Sequence, residues 1–226
     1  MDHCEISAFA HAGISLGQGD GHRIHHNFIH HCQYNGLGYG ISHDQASSLI
    51  ECNRFDWNRH SIAGTGRPGC SYVARNNVEL GESLSHCFDM HGGRDRKDGT
   101  DIAGTSIEIS HNTFRAPQPA VVIRGVPEKQ CDVHHNWFTR HAQPQQAVHA
   151  GAKTSVAANA YGAEAKVDLD NLDERRQRRS ASAEGPLNEK VGNGRRLAEQ
   201  PGTAPNAGPA TAVGNTGVTD GPPSVT

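Results

Sequence analysis

The chain has 226 residues, of which 35% are hydrophobic and 5% aromatic, and it contains 26 Gly and 16 His. So few aromatic residues argue against a compact helical core, and the formal net charge of −3 argues against a nucleic-acid partner held by bulk charge. No stretch is long and apolar enough for a membrane-spanning helix, so we expect no membrane partner.

Two kinds of sequence are joined in this chain, because all 16 histidines precede residue 150. The charged run at 173–180 and the stretch at 200–226, rich in Pro, Gly and Ala, bury too little apolar surface to offset the entropy of ordering. We therefore predict a repeat domain over residues 1–162 and a disordered, low-complexity tail over residues 163–226.

The beginning of the chain enters patterned sequence directly, without a charged and apolar leader. Two interpretations stay open: a protein that is not exported by the usual route, or a fragment of a longer one. The six cysteines show no C-x-x-C spacing, so we expect mostly buried thiols rather than a zinc site or a disulfide scaffold.

A repeat organises the first 162 residues. An aliphatic residue, two free positions, Asn, one free position and a large apolar residue recur six times, weakly in the last copy. The asparagines are Asn27, Asn53, Asn76, Asn112, Asn136 and Asn159, separated by 26, 23, 36, 24 and 23 residues. Asn tolerates the left-handed backbone of a sharp corner, and its side chain can bond the Asn of the adjacent coil. The repeat therefore predicts a solenoid of stacked coils.

A second strand follows each Asn segment. We predict that the inward-facing row of these strands is Ile41, Ile62, Met90, Ile123 and Val148. The next position in each coil then gives an outward row of Ser42, Ala63, His91, Arg124 and His149. The long step of 36 contains a polar insertion at 92–100, which we expect to form a loop.

The Asn-centred repeat resembles the right-handed parallel β-helix family of pectate-lyase-like proteins over residues 1–162. This resemblance implies an all-β solenoid and an extracellular or cell-surface location. The string at 88–92 also looks like the Asp-Pro-His-Asp signature of mannuronan epimerases and related alginate lyases. Asp89 and His91 match its first Asp and its His, whereas Met90 replaces the Pro and Gly92 replaces the second Asp.

The candidate catalytic residues are Asp89, His91 and Arg124. Asp89 and His91 are two residues apart on a strand and share one face, and Arg124 would lie beside His91 at one strand spacing, about 4.8 Å. In an acidic sugar polymer, Arg124 would neutralise a uronate carboxylate, His91 would transfer the neighbouring proton, and Asp89 would orient His91. We expect the polymer to be bound by Arg59, His60, Arg94, Arg96 and His149.

Other chemistries stay open. A hydrolase would need two carboxylates, for which Asp89 with Asp95 or Glu108 is the nearby choice. The paired histidines lack metal-ligand spacing, so we expect corner positions and no metal among the site residues. No cofactor is required, although calcium bridging Asp89, Asp95 or Asp98 to a substrate carboxylate is conceivable.

The sequence thus favours a carbohydrate-active β-helix protein that acts on an acidic polysaccharide by proton abstraction, as a lyase or an epimerase. The alternative is a non-catalytic β-helix module, structural or glycan-binding, of a larger surface protein, in which Asp89 and His91 are an ordinary surface pair. Unpaired strand edges at the solenoid ends predict end-to-end self-association.

Overall fold

The structure is a computed structural model in which residues 1–163 are described. The predicted disordered tail therefore lies, apart from residue 163, outside the described residues. The described part is a parallel β-solenoid of about six turns, which confirms the predicted all-β solenoid class. No helix among the described residues has the length and apolar character needed to cross a membrane.

Short strands after the Asn corners form a seven-stranded parallel sheet. In spatial order they are β1 (Glu5–Ser7), β3 (Phe28–His30), β5 (Arg54–Asp56), β8 (Val78–Glu79), β11 (Thr113–Phe114), β14 (Trp137–Phe138) and β17 (Ala160–Tyr161). Their inward residues, for example Ile29, Phe55 and Phe114, are fully buried and stack along the solenoid axis. Stacked apolar rows of this kind supply most of the hydrophobic stabilisation of a solenoid.

A second, larger parallel sheet covers the rest of each coil. Its strands are β2 (Ala12–His25), β4 (Tyr39–Glu51), β6 (His60–Gly64), β7 (Ser71–Arg75), β9 (Phe88–Met90), β10 (Ser106–Ser110), β12 (Val121–Ile123), β13 (Gln130–His134), β15 (Val148–His149) and β16 (Thr154–Ala157). Two four-residue helices, α1 (Gly93–Arg96) and α2 (Pro144–Ala147), interrupt the coils.

The long strand β4 divides this sheet into two faces. Its first half pairs with β6 and its second half pairs with β7, so later coils separate around the two halves. We call the part formed by β6, β9, β12, β15 and the first halves of β2 and β4 the site face. The part formed by β7, β10, β13, β16 and the second halves of β2 and β4 is the ladder face, because each of its strands leads into an Asn corner.

The Asn corners form a continuous hydrogen-bonded ladder. Each ladder Asn donates its backbone N–H to the Oδ1 of the next at 2.9–3.0 Å, and its Nδ2 donates to the same Oδ1 at 3.0–3.1 Å. The residue before each Asn has a positive φ of 52–58°. His26 and His135, two of the paired histidines expected at corners, occupy such positions, which confirms the prediction for them, and His111 occupies another.

One ladder position differs from the prediction: Asn77, not Asn76, carries the bonds of the third coil. Asn76 is exposed and takes the left-handed corner position, with φ 57°. The repeat places its aliphatic residue three positions before the Asn, which is Val73 for Asn76 and Ala74 for Asn77. Ala74 is fully buried and Val73 is only partly buried, so Asn77 is the ladder residue. Two adjacent asparagines fit the repeat equally well, and only burial of the flanking residues separates the two registers.

The one-residue correction places Glu79 in the core. Glu79 pairs with Phe55 on one side and Phe114 on the other, so an acid occupies an aromatic row. It is 1% exposed, neither carboxyl oxygen lies within hydrogen-bond distance of a described residue, and the Ser61 side chain only partly offsets the effect of burial on its pKa. Burial raises the pKa of Glu79 to about 8, so at neutral pH the group is a neutral carboxylic acid.

The cysteines are mostly buried thiols, as the sequence predicts. All six are free, and four of them, Cys32, Cys70, Cys87 and Cys131, are buried.

Replacing Asn77 by Ala tests the ladder register. The change removes the acceptor for two donors of Asn53 and the donor to the Ile50 carbonyl, whose distances are 2.9–3.1 Å. Buried groups left without partners cost about 1–3 kcal/mol each, so we expect a loss of about 3 kcal/mol or more in urea unfolding. The control is Asn76→Gly, which keeps the left-handed corner. An equal loss in both variants would contradict the register.

Replacing Glu79 by Leu tests the buried acid. Between an unfolded pKa of about 4.3 and the folded value, the folded chain keeps a proton that the unfolded chain releases. Stability of the native chain therefore falls as pH rises through this window, by at most about 1.4 kcal/mol per pH unit. In denaturant unfolding, the increase in the free energy of unfolding of Glu79→Leu over the native chain should be larger at pH 8 than at pH 5. A pH-independent gain would rule out the neutral buried acid.

Candidate active site

The register of the site face decides which side chains meet there. Phe88 pairs with both Ile62 and Val121, so the inward row is Ile41, Ile62, Phe88, Val121 and Val148. The prediction of Met90 and Ile123 in this row was wrong by two residues. Residues two apart on a strand point to the same side, and both alternatives are buried, so the hydrophobic pattern fits either register.

The outward rows shift with the inward one. The observed row is Ser42, Ala63, Asp89, Val122 and His149. His91 and Arg124 lie two residues further along their coils, and they remain neighbours because Met90 pairs with Ile123. The prediction that His91 and Arg124 are adjacent therefore agrees with the register, whereas their alignment with Ala63 and His149 was wrong.

Asp89 is the centre of a charged cluster on the site face. Its side chain is fully buried, and Arg124 binds it at two points, with Nε 3.0 Å from Oδ1 and Nη2 2.6 Å from Oδ2. His91 Nε2 lies 2.9 Å from Oδ2, and His86 Nε2 lies 3.2 Å from Oδ1. We call Asp89, His86, His91, Arg124 and the adjacent His60 the Asp89 cluster.

The state of Asp89 results from two opposing effects. Burial alone would raise the pKa of Asp89, but the hydrogen bonds and electrostatic interactions that it makes with His86 and His91 outweigh burial and hold the pKa well below its usual range. Asp89 is therefore a carboxylate at every physiological pH. Such a group accepts hydrogen bonds and orients its partners, and it does not act as a general acid.

Two histidines behind Asp89 complete the cluster. His60 is fully buried, its Nδ1 lies 2.7 Å from the His86 carbonyl oxygen, and the two rings are 4.1 Å apart between centroids. Burial lowers the pKa of His60 to about 3, so His60 is neutral. Sequence reasoning missed His86, which lies in the turn before β9, where strand alternation predicts no direction for a side chain.

His91 also lines an open groove of about 280 Å³ on the site face. Its other polar or aromatic lining residues are His11, Ser15, Tyr39, Ser42, His43, Asp44 and Thr65. Asp44 accepts a hydrogen bond from Thr65 at 2.8 Å and pairs with Arg67 at 3.0 Å. Of the three predicted catalytic residues, only His91 lines the groove. Asp89 contacts His91, and Arg124 contacts Asp89.

The predicted substrate-binding residues are dispersed. His60 is fully buried, so the prediction that it contacts a polymer was wrong. Arg96 is also an unsuitable ligand for a polymer, because its side chain is only 10% exposed. It donates to the carbonyls of Thr65 at 2.7 Å and Ile102 at 3.0 Å, and it pairs with Asp98 at 2.7 Å. Arg96 thus fastens the loop of the polar insertion to the site face.

The remaining three are exposed or partly exposed. Arg59 reaches the Gly36 carbonyl at 3.4 Å and borders a separate surface pocket. Arg94 is 85% exposed and lies 3.6 Å from Asp101. His149 lies in the same outward row as Asp89, two strands away. None of them lines the groove, so their role in binding stays a prediction.

Of the two carboxylates offered as a partner for Asp89 in a hydrolase, Asp95 shares the Arg124 guanidinium with Asp89, whereas Glu108 does not lie beside it. Glu108 is on β10, which belongs to the ladder face, so its choice as a neighbour was wrong. Asp95 lies 3.5 Å from Arg124 Nη1 and accepts the Gly92 backbone N–H at 3.1 Å. Calcium stays an untested prediction; both oxygens of Asp89 already accept hydrogen bonds.

Comparisons of the chain with protein-family models, with curated proteins and with solved structures gave no match. Of the predicted resemblance, the parallel β-solenoid is shown, whereas the likeness to pectate-lyase-like proteins and the likeness to epimerases and alginate lyases both stay predictions.

Replacing Asp89 by Asn tests whether this carboxylate organises the cluster. The change keeps the shape but leaves the Arg124 guanidinium without its buried partner, which typically costs about 3–5 kcal/mol. In chemical denaturation, we expect the free energy of unfolding of Asp89→Asn to fall by this amount. Part of that free energy should be recovered in the double variant Asp89→Asn with Arg124→Met. The control is Asp101→Asn, at an exposed pair. Additive losses in the double variant would contradict the ion pair.

Proposed function

We propose that this protein is a carbohydrate-active β-solenoid that acts on an acidic, uronate-containing polysaccharide by proton transfer, as a lyase or an epimerase. The observation that carries the proposal is the placement of His91. His91 is one of the residues that line the groove, and its Nε2 lies 2.9 Å from the buried Asp89 carboxylate. An imidazole held by a fixed carboxylate at the wall of a groove is suited to general acid–base catalysis.

The proton transfer follows from the tautomer of His91. A carboxylate only accepts hydrogen bonds, so His91 Nε2 carries the proton that it donates to Asp89, and Nδ1 carries the lone pair. Nδ1 is then the atom that removes the ring proton beside the uronate carboxylate. Asp89 stabilises the imidazolium that forms, since its own charge persists. Protonation of the carbanion from the opposite face by solvent water gives an epimer and leaves the first proton on His91 to be lost to solvent. Expulsion of the glycosidic oxygen from the neighbouring carbon, with that oxygen taking the proton from the His91 imidazolium, gives an unsaturated product.

Arg124 has a different role here from the one expected at first. Its Nε and Nη2 are both engaged by Asp89, so we propose that Arg124 is a positioning residue for Asp89 rather than the group that neutralises the substrate. A guanidinium that contacts the groove lining is that of Arg67, which is 53% exposed and paired with Asp44. Tyr39, Ser42 and Thr65 are among the lining residues, and their hydroxyl groups are suited to hydrogen bonds with sugar hydroxyls.

A second candidate function is glycan binding without catalysis, as a module of a larger surface protein. Two observations favour it. Asp89 and Arg124 satisfy each other inside the cluster, as in a structural ion pair. The described residues that line the groove also include no arginine or lysine, so the uronate charge would be met only by flanking groups.

Turnover of polyuronates separates the two candidates. The full chain is incubated with alginate, pectate and other polyuronates, and we measure absorbance of unsaturated products and exchange of the ring proton with deuterated solvent. We expect one of these signals, reduced at least about 100-fold in His91→Gln because a general base contributes 10²–10⁴-fold. The control is His134→Gln, a partly exposed histidine on the ladder face.

Binding with neither signal, unchanged in His91→Gln, would overturn the catalytic proposal and support the glycan-binding module. Equal loss of turnover in His91→Gln and His134→Gln would also contradict the role assigned to His91.

A further inference from the structure

We infer that His60, His86 and Asp89 form a binding site for a divalent transition-metal ion such as Zn²⁺. One donor atom from each residue can be chosen so that all three lie within 4.8 Å of one another. Two imidazole nitrogens and a carboxylate oxygen are a donor set typical of Zn²⁺ and its neighbours in the first transition row. Calcium prefers six to eight oxygens, which this group does not offer.

His60 provides the observation that points to a ligand. Its side chain is fully buried, and Nδ1 lies 2.7 Å from the His86 carbonyl oxygen, so Nδ1 must carry the proton. The lone pair of the neutral ring is then on Nε2, which is buried and has no hydrogen-bond partner among the described residues. Imidazoles that bind metals are commonly oriented in this way, with the other ring N–H donated to a backbone carbonyl.

His86 shows a conflict that a metal ion would resolve. Its Nε2 lies 3.2 Å from Asp89 Oδ1, an acceptor, and 3.1 Å from Arg124 Nη2, a donor. A single ring nitrogen can satisfy only one of these neighbours, whether or not it carries a proton. A metal ion between His86 Nε2 and Asp89 Oδ1 would use both lone pairs. Asp89 Oδ1 also accepts a hydrogen bond from Arg124 Nε at 3.0 Å, so it would bind the ion through its second lone pair, while Arg124 Nη2 would keep its 2.6 Å contact with Oδ2.

The local charge is compatible with a divalent cation despite Arg124. Asp89 and Asp95 both approach the guanidinium, at 2.6 and 3.5 Å. With neutral histidines, two carboxylates and one guanidinium leave a formal charge of −1 before the ion binds. Three protein ligands are one fewer than a structural zinc site uses, so a coordination position would remain for water or another ligand.

Metal titration tests this site without any polysaccharide, so its outcome is independent of the proposed proton-transfer function. The full chain is stripped with a chelator and titrated calorimetrically with ZnCl₂, and Co²⁺ binding is followed by its visible absorption. We expect one tight equivalent, weakened at least about 100-fold in His60→Gln and in His86→Gln, because even the loss of an outer partner costs 10–100-fold. The Co²⁺ bands should disappear in the same variants.

The matched control is His134→Gln, which removes one imidazole of a partly exposed pair in which two Nδ1 atoms lie 2.8 Å apart. It should keep the tight equivalent. Circular dichroism checks the fold of each variant; if His60→Gln does not fold, His86→Gln, whose side chain is 16% exposed, decides alone. Tight binding that survives in these variants, binding lost in His134→Gln, or no tight equivalent in the native chain would each overturn the site.

Discussion

The hydrogen bonds between successive asparagines are the constraint on which the rest of the solenoid depends. Each ladder Asn uses its Oδ1 to accept from the previous coil and its N–H and Nδ2 to donate to the next, so the corner is satisfied only when coils are stacked in one register. The left-handed residue before each Asn sets the sharp bend. Because strand side chains alternate with period two, a fixed corner fixes which residues face the core.

Two buried acids show how local partners decide protonation inside the same core. Asp89 is surrounded by donors from Arg124, His86 and His91, and it stays a carboxylate although it is fully buried. Glu79 lies between phenylalanines, only the Ser61 side chain partly offsets burial, and the carboxyl group is neutral at pH 7. Burial acts in the same direction on both. The donors around Asp89 reverse the effect of burial on its pKa, so this position holds a negative charge that can orient a neighbouring imidazole.

Much of the fold could be predicted from the sequence, because the Asn repeat carries both the corner and the spacing. The errors came where two registers satisfy the same pattern. Asn76 and Asn77 differ by one position, and burial of Ala74 rather than Val73 decides between them. Phe88 and Met90 differ by two positions and are both buried, so only the pairing with Ile62 in the folded chain assigns the row.

The candidate site was predictable only in part. Asp89 and His91 were found because strand alternation places them on one side, and Arg124 because its coil keeps register with theirs. His86 lies in a turn, where no periodicity applies, and the burial of His60, whose ring contacts that of His86, is seen only in the folded chain. The hydrogen bonds from Arg96 to backbone carbonyls likewise depend on the folded loop, and neither composition nor residue spacing predicts them.

We propose that the buried, charged Asp89 carboxylate holds the His91 ring so that His91 Nδ1 is available to take a proton. Nitrogen-15 NMR of the histidine side chains tests it most directly, because the chemical shifts and couplings of a neutral imidazole distinguish its two tautomers. The account predicts that neutral His91 carries its proton on Nε2, and that this preference weakens in Asp89→Asn. A neutral His91 protonated on Nδ1, or a tautomer unchanged by Asp89→Asn, would contradict it.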